Sequence, residues 1–347
     1  MPTIKTALSD LLNVDVPILC APMAVDGTVD LASAVTSAGG FGMMGSGFRS
    51  SKVLREEMQI IRDRLRLSPG KPIPIAVGFL GWVLDRAPDD PLLEEVLDEK
   101  PVAVCLAFGD DLGKYVARIH AHDSKRAHKT IIFVNVNSVE MAVKAANEWK
   151  VDVIVAQDRH RIWGHGGAHA PPLFSLVPAI LDALPRGPLV VGAGGIANGK
   201  QIAALLTLGA DGVLLGTRFL FTPECKYSPQ KKEVLIKAGL HDTVRTLAYD
   251  EVGRTNFWPA DVDGRAVSNS VMEDLNAGLD LETRLKKFDE SASTGDSSHL
   301  IVWAGVGVGL TDKITPASDI VHDLRRETLE VLNKAAKLVS VRRDDPL

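Results

Sequence analysis

Apolar residues along this chain come in short unbroken runs rather than in alternation with polar ones. Eight runs stand out, at 16–23, 41–47, 73–80, 102–108, 130–136, 151–158, 189–196 and 211–218. Runs of this kind predict strands covered on both faces, as in a parallel sheet. Between them the spacing turns helical, at 29–38, 52–65, 92–98, 112–122, 139–149, 176–184 and 200–208. Strand then helix, repeated, predicts an α/β chain. Eight such strands favour a closed (β/α)8 TIM barrel over an open sheet.

After residue 221 the rhythm breaks. Residues 222–300 hold helix-like segments at 231–239 and 269–288 around a mixed stretch at 245–259. That is too long for a simple loop. It predicts a small, mostly helical lobe inserted after the eighth strand, covering the substrate side because it leaves from a strand's C-terminal end. The stretch 319–339, with Ile320, Leu324, Leu329, Leu332 and Ala336 on one stripe, predicts the helix that completes the barrel. The expected division is therefore a barrel of 1–221 plus 301–347 and a lobe of 222–300.

The seventh and eighth runs end in glycine. Gly192-Ala193-Gly194-Gly195 leads into Ile196-Ala197-Asn198-Gly199 and a helical segment, and Leu214-Leu215-Gly216-Thr217 repeats the device. Glycines without Cβ let backbone N–H groups approach a ligand, and a helix N-terminus adds positive potential. Gly194, Gly195, Gly216 and Thr217 thus predict a clamp for one phosphate, where such barrels usually hold it. Gly192-x-Gly194-x-x-Ala197 also matches a dinucleotide fingerprint. That unit needs an acidic residue about twenty positions on, and the next strand here ends in Gly216-Thr217 instead.

Composition narrows the partners. The 347 residues carry a net charge of −5, which argues against nucleic acid or an anionic membrane as the main partner. Cys20, Cys105 and Cys225 lack ligand-like spacing and predict free thiols in a reducing compartment. The start has no signal-type apolar core and no run is long enough to span a bilayer. The expected location is the cytoplasm.

Barrel chemistry sits at the C-terminal ends of the strands. Those ends read Ala21-Pro22-Met23, Gly45-Ser46-Gly47, Gly78-Phe79-Leu80, Phe108-Gly109, Asn135-Val136-Asn137, Gln157-Asp158, Gly194-Gly195 and Gly216-Thr217. Glycines and amides, with few carboxylates, suit a flat aromatic cofactor lying over backbone, Gly45 among its contacts. They suit carboxylate-based hydrolysis poorly. The sixth run leads into Gln157-Asp158-Arg159-His160-Arg161-Ile162-Trp163-Gly164-His165-Gly166-Gly167-Ala168-His169. Flanking glycines let His165 project into a pocket, where a neutral imidazole accepts a proton near neutral pH. A solvated loop histidine stays open as an alternative. So does a metal held by His160, His165 and His169, although their spacing fits no structural zinc pattern and no metal is expected. Asp158 is the rival base. Trp163, Trp258 and Trp303 are candidate pocket walls, and Met43-Met44 reads as barrel core.

Taken together, Pro17-Ile18-x-x-Ala21-Pro22-Met23, Gly39-Gly40-Phe41-Gly42, Gly78-Phe79-Leu80-Gly81-Trp82, Gly164-His165-Gly166, Ser175-Leu176-Val177-Pro178, Gly194-Gly195-Ile196 and Gly209-Ala210-Asp211-Gly212-Val213-x-x-Gly216-Thr217-Arg218-Phe219 resemble the nitronate monooxygenase family, once called 2-nitropropane dioxygenases. The resemblance covers about 10–221 and resumes at Trp303-Ala304-Gly305. Trp258-Pro259 and Asp263-Gly264-Arg265 resemble its fungal branch. It implies noncovalent FMN, with Ala21, Pro22 and Met23 under the isoalloxazine and Gln157 and Gly164 near the ring or ribityl chain. Gly194, Gly195, Gly216 and Thr217 would hold the phosphate and His165 would be the base. The implied reaction is oxidation of alkyl nitronates, and in some members nitroalkanes, by O2 to a carbonyl compound and nitrite. Small nitro compounds and O2 are the implied partners, with monomer and homodimer both open. One departure stands out. The family loop runs Gln-Gly-x-acid-Ala-Gly-Gly-His, whereas the stretch from Gln157 to His165 is a residue longer and lacks the acid and one glycine. Arg159 and Arg161 put cations near the mouth instead.

Three other functions compete. The same scaffold serves an FMN-dependent NAD(P)H reductase of quinones or enoyl thioesters. A phosphate-sugar isomerase or aldolase would lack flavin and normally carry a Lys or Glu at a strand end, which is not found here. A flavin carrier without catalysis leaves His165 unexplained.

Overall fold

A computed structural model describes residues 2–23, 27–157, 165–167 and 169–338. The eight apolar runs form β1 (Ile18–Cys20), β2 (Gly42–Gly45), β3 (Ile73–Leu80), β4 (Pro101–Ala107), β5 (Ile131–Val136), β6 (Val153–Gln157) and, after a short β7 (His165–Gly167) in the next connection, β8 (Leu189–Ala193) and β9 (Gly212–Leu215). The eight pair in the order β1-β9-β8-β6-β5-β4-β3-β2, every pair parallel. The two ends of that order meet. Cys20 N–H donates to Phe41 C=O at 3.0 Å and Phe41 N–H to Ile18 C=O at 3.0 Å, closing the sheet into the expected barrel. β3, β4 and β6 are buried almost throughout, which is why their sequences do not alternate.

The helices between the strands follow the same logic. Ser51–Arg64 buries Leu54, Met58 and Ile61, one stripe at i, i+4 and i+7. Thr28 caps Val29–Ser37 by accepting from Leu31 N–H at 2.9 Å. The last helix, Ala317–Ala336, packs on Gly199–Thr207 and on Val29–Ser37, joining the end of the ring to its beginning. Its buried stripe is Ala317, Ile320, Val321, Leu324 and Thr328, while Ala336 is exposed.

Gly42 sets one close approach. A Cβ there would lie 2.1 Å from Ala32 C=O, so the helix Val29–Ser37 rests directly on the β2 backbone. Gly42→Ala is expected to cost about 1–3 kcal/mol through the shift it forces. Urea unfolding would read this as a lower midpoint with an unchanged slope, and an unmoved midpoint would contradict the tight packing.

Residues 222–300 carry the helices Pro229–Lys237, Ala248–Val252, Ser270–Asn276 and Leu281–Thr294, and also β10 (Thr243–Thr246) and β11 (Val262–Val267). The mostly helical reading missed this sheet. β11 is its centre, antiparallel to β10 on one side and to β7 on the other. β10 has four half-buried residues and β7 is His165-Gly166-Gly167, so neither is long or apolar enough to announce a strand. The sheet therefore takes one strand from a barrel connection. Val302 and Ala304 join it as well, through Val267 N–H to Val302 C=O at 2.9 Å and Ala304 N–H to Arg265 C=O at 3.1 Å. Among the described residues no helix is long and apolar enough to cross a membrane.

Candidate active site

β7 sets His165 opposite Gly264 of β11. A Cβ at Gly264 would lie 2.3 Å from Trp303 Cζ3 and 3.1 Å from His165 Nε2, so only glycine leaves room for both rings. His165 is buried, with Nε2 2.7 Å from Asp250 Oδ1. Asp250 is fully buried too. Its Oδ1 also accepts from Thr255 Oγ1 at 3.0 Å and from Trp258 Nε1 at 2.9 Å. A carboxylate oxygen accepting from three sides assigns the hydrogen to His165 Nε2, which puts the basic lone pair of the neutral ring on Nδ1. The Trp258 indole stacks on the imidazole with centroids 3.7 Å apart at 13°, and Trp303 lies 4.6 Å away. The ring plane is fixed by packing and one edge by hydrogen bonding.

Sequence reasoning placed His165 in a loop and missed Asp250. Asp250 stands 85 residues further on. Its neighbours Ala248, Tyr249 and Val252 mark a helix with a buried face, but nothing local ties that face to His165. Burial pushes the Tyr249 hydroxyl up to about 12, and it donates to Val267 C=O at 3.0 Å, so it stays neutral.

Amides tie β5 and β6 to the histidine strand. Gln157 is buried and donates from Nε2 to His165 C=O at 3.3 Å, while its Oε1 accepts from Asn135 Nδ2 at 2.6 Å. Both line a cavity of about 220 Å³ with Phe108, Asn137, Pro259 and Val262. The amide chain runs in one direction, so among the described residues Asn135 Oδ1 is left as a buried acceptor without a partner.

The glycine turns stand at the ends of β8 and β9. Gly194 and Gly195 take φ values of +129° and +63°, and with Ile196, Gly216, Thr217 and Gly307 they line a narrow cleft. Gln201 braces the turn, donating to Gly195 C=O at 2.9 Å and accepting from Ala197 N–H at 2.8 Å. Among the described residues the N–H groups of Gly194, Gly195 and Ile196 find no acceptor. Gly194 and Ile196 are buried and Gly195 half-buried, and donors left unpaired there are costly, so an anion fits here. The helix Gly199–Thr207, by contrast, does not offer its N-terminus. Gly199 N–H donates to Glu327 Oε2 at 2.9 Å and Gln201 N–H to Asn198 Oδ1 at 3.1 Å. The predicted contribution of that helix end is thus taken up by the chain's own carboxylate. Thr217 Oγ1 accepts from Gly305 N–H at 2.8 Å, which leaves its hydroxyl hydrogen to donate.

At the end of β1, beside β9, Ala21 N–H donates to Leu215 C=O at 2.9 Å and Met23 N–H turns back to Ala21 C=O at 2.9 Å. Ala21, Pro22 and Met23 are all buried. Gly45 ends β2 in register with Gly78 of β3, and its C=O accepts from Arg49. These residues, Gln157, His165 and the glycine turns all stand at the same end of the barrel. Gly164 lies outside the described residues, as do Asp158, Arg159, His160, Arg161 and Trp163. His169 is exposed. The cysteines are buried. Burial pushes the Cys105 thiol up to about 12 and, with Cys225 nearby, that of Cys20 well above its ordinary value, so neither is a thiolate at neutral pH.

A mouth of this kind belongs to a barrel enzyme, with room for an anion on one side and a carboxylate-held imidazole on the other. The profile of the nitronate monooxygenase family matches residues 83–327. A nitronate monooxygenase of Neurospora crassa is 35% identical over 342 residues, 91% of this chain and 90% of the relative. One of Metarhizium robertsii is 32% identical over 91% of each chain. Among solved structures, FabK from Thermotoga maritima superposes with a TM-score of 0.77 at 27% identity, covering 97% of this chain and 100% of its own. Nitroalkane oxidase from Streptomyces ansochromogenes gives 0.74 at 25% identity over 95% and 100%. This chain belongs to the nitronate monooxygenase family, a family of flavin-dependent oxidoreductases.

Proposed function

We propose that this protein binds FMN and oxidises alkyl nitronates with O2 to a carbonyl compound and nitrite, accepting nitroalkanes once an α-proton is removed. The observation that carries the reading is the buried His165–Asp250 pair, at 2.7 Å, on the strand-end face of a barrel of this family. FMN, when bound, supplies the acceptor for the substrate's electrons and their route to O2. The N–H groups of Gly194, Gly195 and Ile196 and the Thr217 hydroxyl would hold its phosphate. One set of turn N–H donors and one hydroxyl suit a single phosphate, which favours FMN over FAD. Ala21, Pro22, Met23 and Gly45 would support the ring, with Gln157 and Gly164 at its polar edge.

His165 Nδ1 takes the α-proton of a neutral nitroalkane, and Asp250 then faces an imidazolium that its charge stabilises. A nitronate arrives already deprotonated and bypasses that step. β11 and Trp258 cover His165 from residues 222–300, so this segment acts as a lid that excludes water, with Trp258 and Trp303 as apolar walls.

Heat-released flavin from the purified protein is expected to be FMN. Gly195→Asp sets a carboxylate against the phosphate and is expected to give a folded protein that loses most of its flavin. Release of FAD, or full FMN occupancy in the folded variant, would overturn the clamp. NADPH added without air is expected to leave the flavin absorbance unbleached. Rapid bleaching would favour the reductase of quinones or enoyl thioesters.

A further inference from the structure

In the ring of barrel strands, β3 and β4 stand across the mouth from β8 and β9. The glycine clamp is on one side; the other side is aromatic. Phe48 follows β2, Trp82 follows β3 and Phe108 follows β4, and Phe257 and Trp258 meet them from the lid segment. Centroids are 5.8 Å apart for Phe48–Trp82, 6.3 Å for Trp82–Phe257, 5.3 Å for Trp82–Trp258 and 5.5 Å for Phe108–Trp258. Trp258 in turn stacks on His165. Rings in contact therefore run from the surface to the histidine.

Three features of this wall are unsatisfied. Phe48 and Phe257 are 63% and 53% exposed, adjacent apolar faces held in water at the rim. Trp82 is buried, and its Nε1–H meets no acceptor among the described residues, although buried indole donors normally find one. The Arg86 guanidinium lies 4.2 Å over the Phe257 ring and pairs with no carboxylate among the described residues. Flat apolar faces at the rim and one cation without a carboxylate partner complement a molecule with an aromatic ring and an anionic group.

We infer that the preferred substrates are aryl-bearing nitronates. The aryl ring packs on the exposed Phe257 face at the rim, and Arg86 attracts the anion to the mouth. This rests on the nitronate reaction proposed above and adds the substrate class.

The test compares the flavin-loaded enzyme on the nitronates of phenylnitromethane and nitroethane, read as nitrite release. It also measures binding of their carboxylate counterparts, phenylacetate and propionate, by tryptophan fluorescence. The aryl member of each pair is expected to be favoured by about tenfold or more. Phe257→Ala should remove most of that advantage. Equal kcat/KM for both nitronates together with equal affinity for both carboxylates would overturn the inference. So would an aryl preference that Phe257→Ala leaves intact. If neither nitronate yields nitrite, the proposed reaction fails and binding alone decides the aromatic wall. A phenylacetate preference that depends on Phe257 then upholds it, and no preference overturns it.

Discussion

His165→Asn is expected to lose on the order of 10²–10⁴-fold in kcat/KM with a neutral nitroalkane, the usual worth of a general base. With preformed nitronate it should retain far more activity, because that substrate has no α-proton left to give. Asparagine keeps polarity and similar size but cannot take the proton. Nitrite release from both substrate forms, by wild type and variant, measures the split. Equal losses on both would mean that His165 binds or orients rather than abstracts. Asp158→Asn is the control, since Asp158 is the one carboxylate that follows directly on a barrel strand end in the sequence. A loss confined to that variant would move the base there.

Asp250→Asn should shift the pH dependence as well as the rate. The imidazolium formed at His165 faces the Asp250 carboxylate at 2.7 Å. A carboxylate at that range favours the protonated ring, and the neutral amide does not. The base is active when unprotonated, so nitroalkane activity rises with pH through the His165 transition. Removing the negative charge should move that acidic limb to lower pH. It should also lower the plateau by about 10–10²-fold, because the weaker base abstracts more slowly. The amide oxygen introduced by Asp250→Asn would still accept from Trp258 and Thr255, so the lid contacts survive. A plateau that falls while the limb stays put would reduce Asp250 to a packing role.

The barrel is largely legible in the sequence, and the reasons are local. The run 73–80 becomes β3 residue for residue, because both faces of that strand are buried and every position must be apolar or small. The runs overshoot at β1 and β9, where 16–23 and 211–218 shrink to Ile18–Cys20 and Gly212–Leu215. Ala21, Pro22 and Met23 are buried beyond the end of β1, Thr217 and Arg218 open a short helix after β9, and an apolar pattern cannot tell such residues from a strand. The turn at Gly194-Gly195 shows in the sequence because positive φ leaves glycine as its mark. The occupant of the next helix end does not show, because Glu327 arrives from 128 residues away. Asp250 and the β7–β11 pairing are hidden for the same reason. Each depends on the inserted segment folding back over the barrel, and three residues reading His-Gly-Gly carry no strand signal of their own.

Nitrite release from preformed ethyl nitronate by the purified flavin-loaded protein, in air and without NAD(P)H, bears most directly on the proposed chemistry. Sustained turnover is expected, with oxygen consumed as nitrite appears. No nitrite under these conditions, from a protein whose flavin NADPH reduces rapidly, would contradict it.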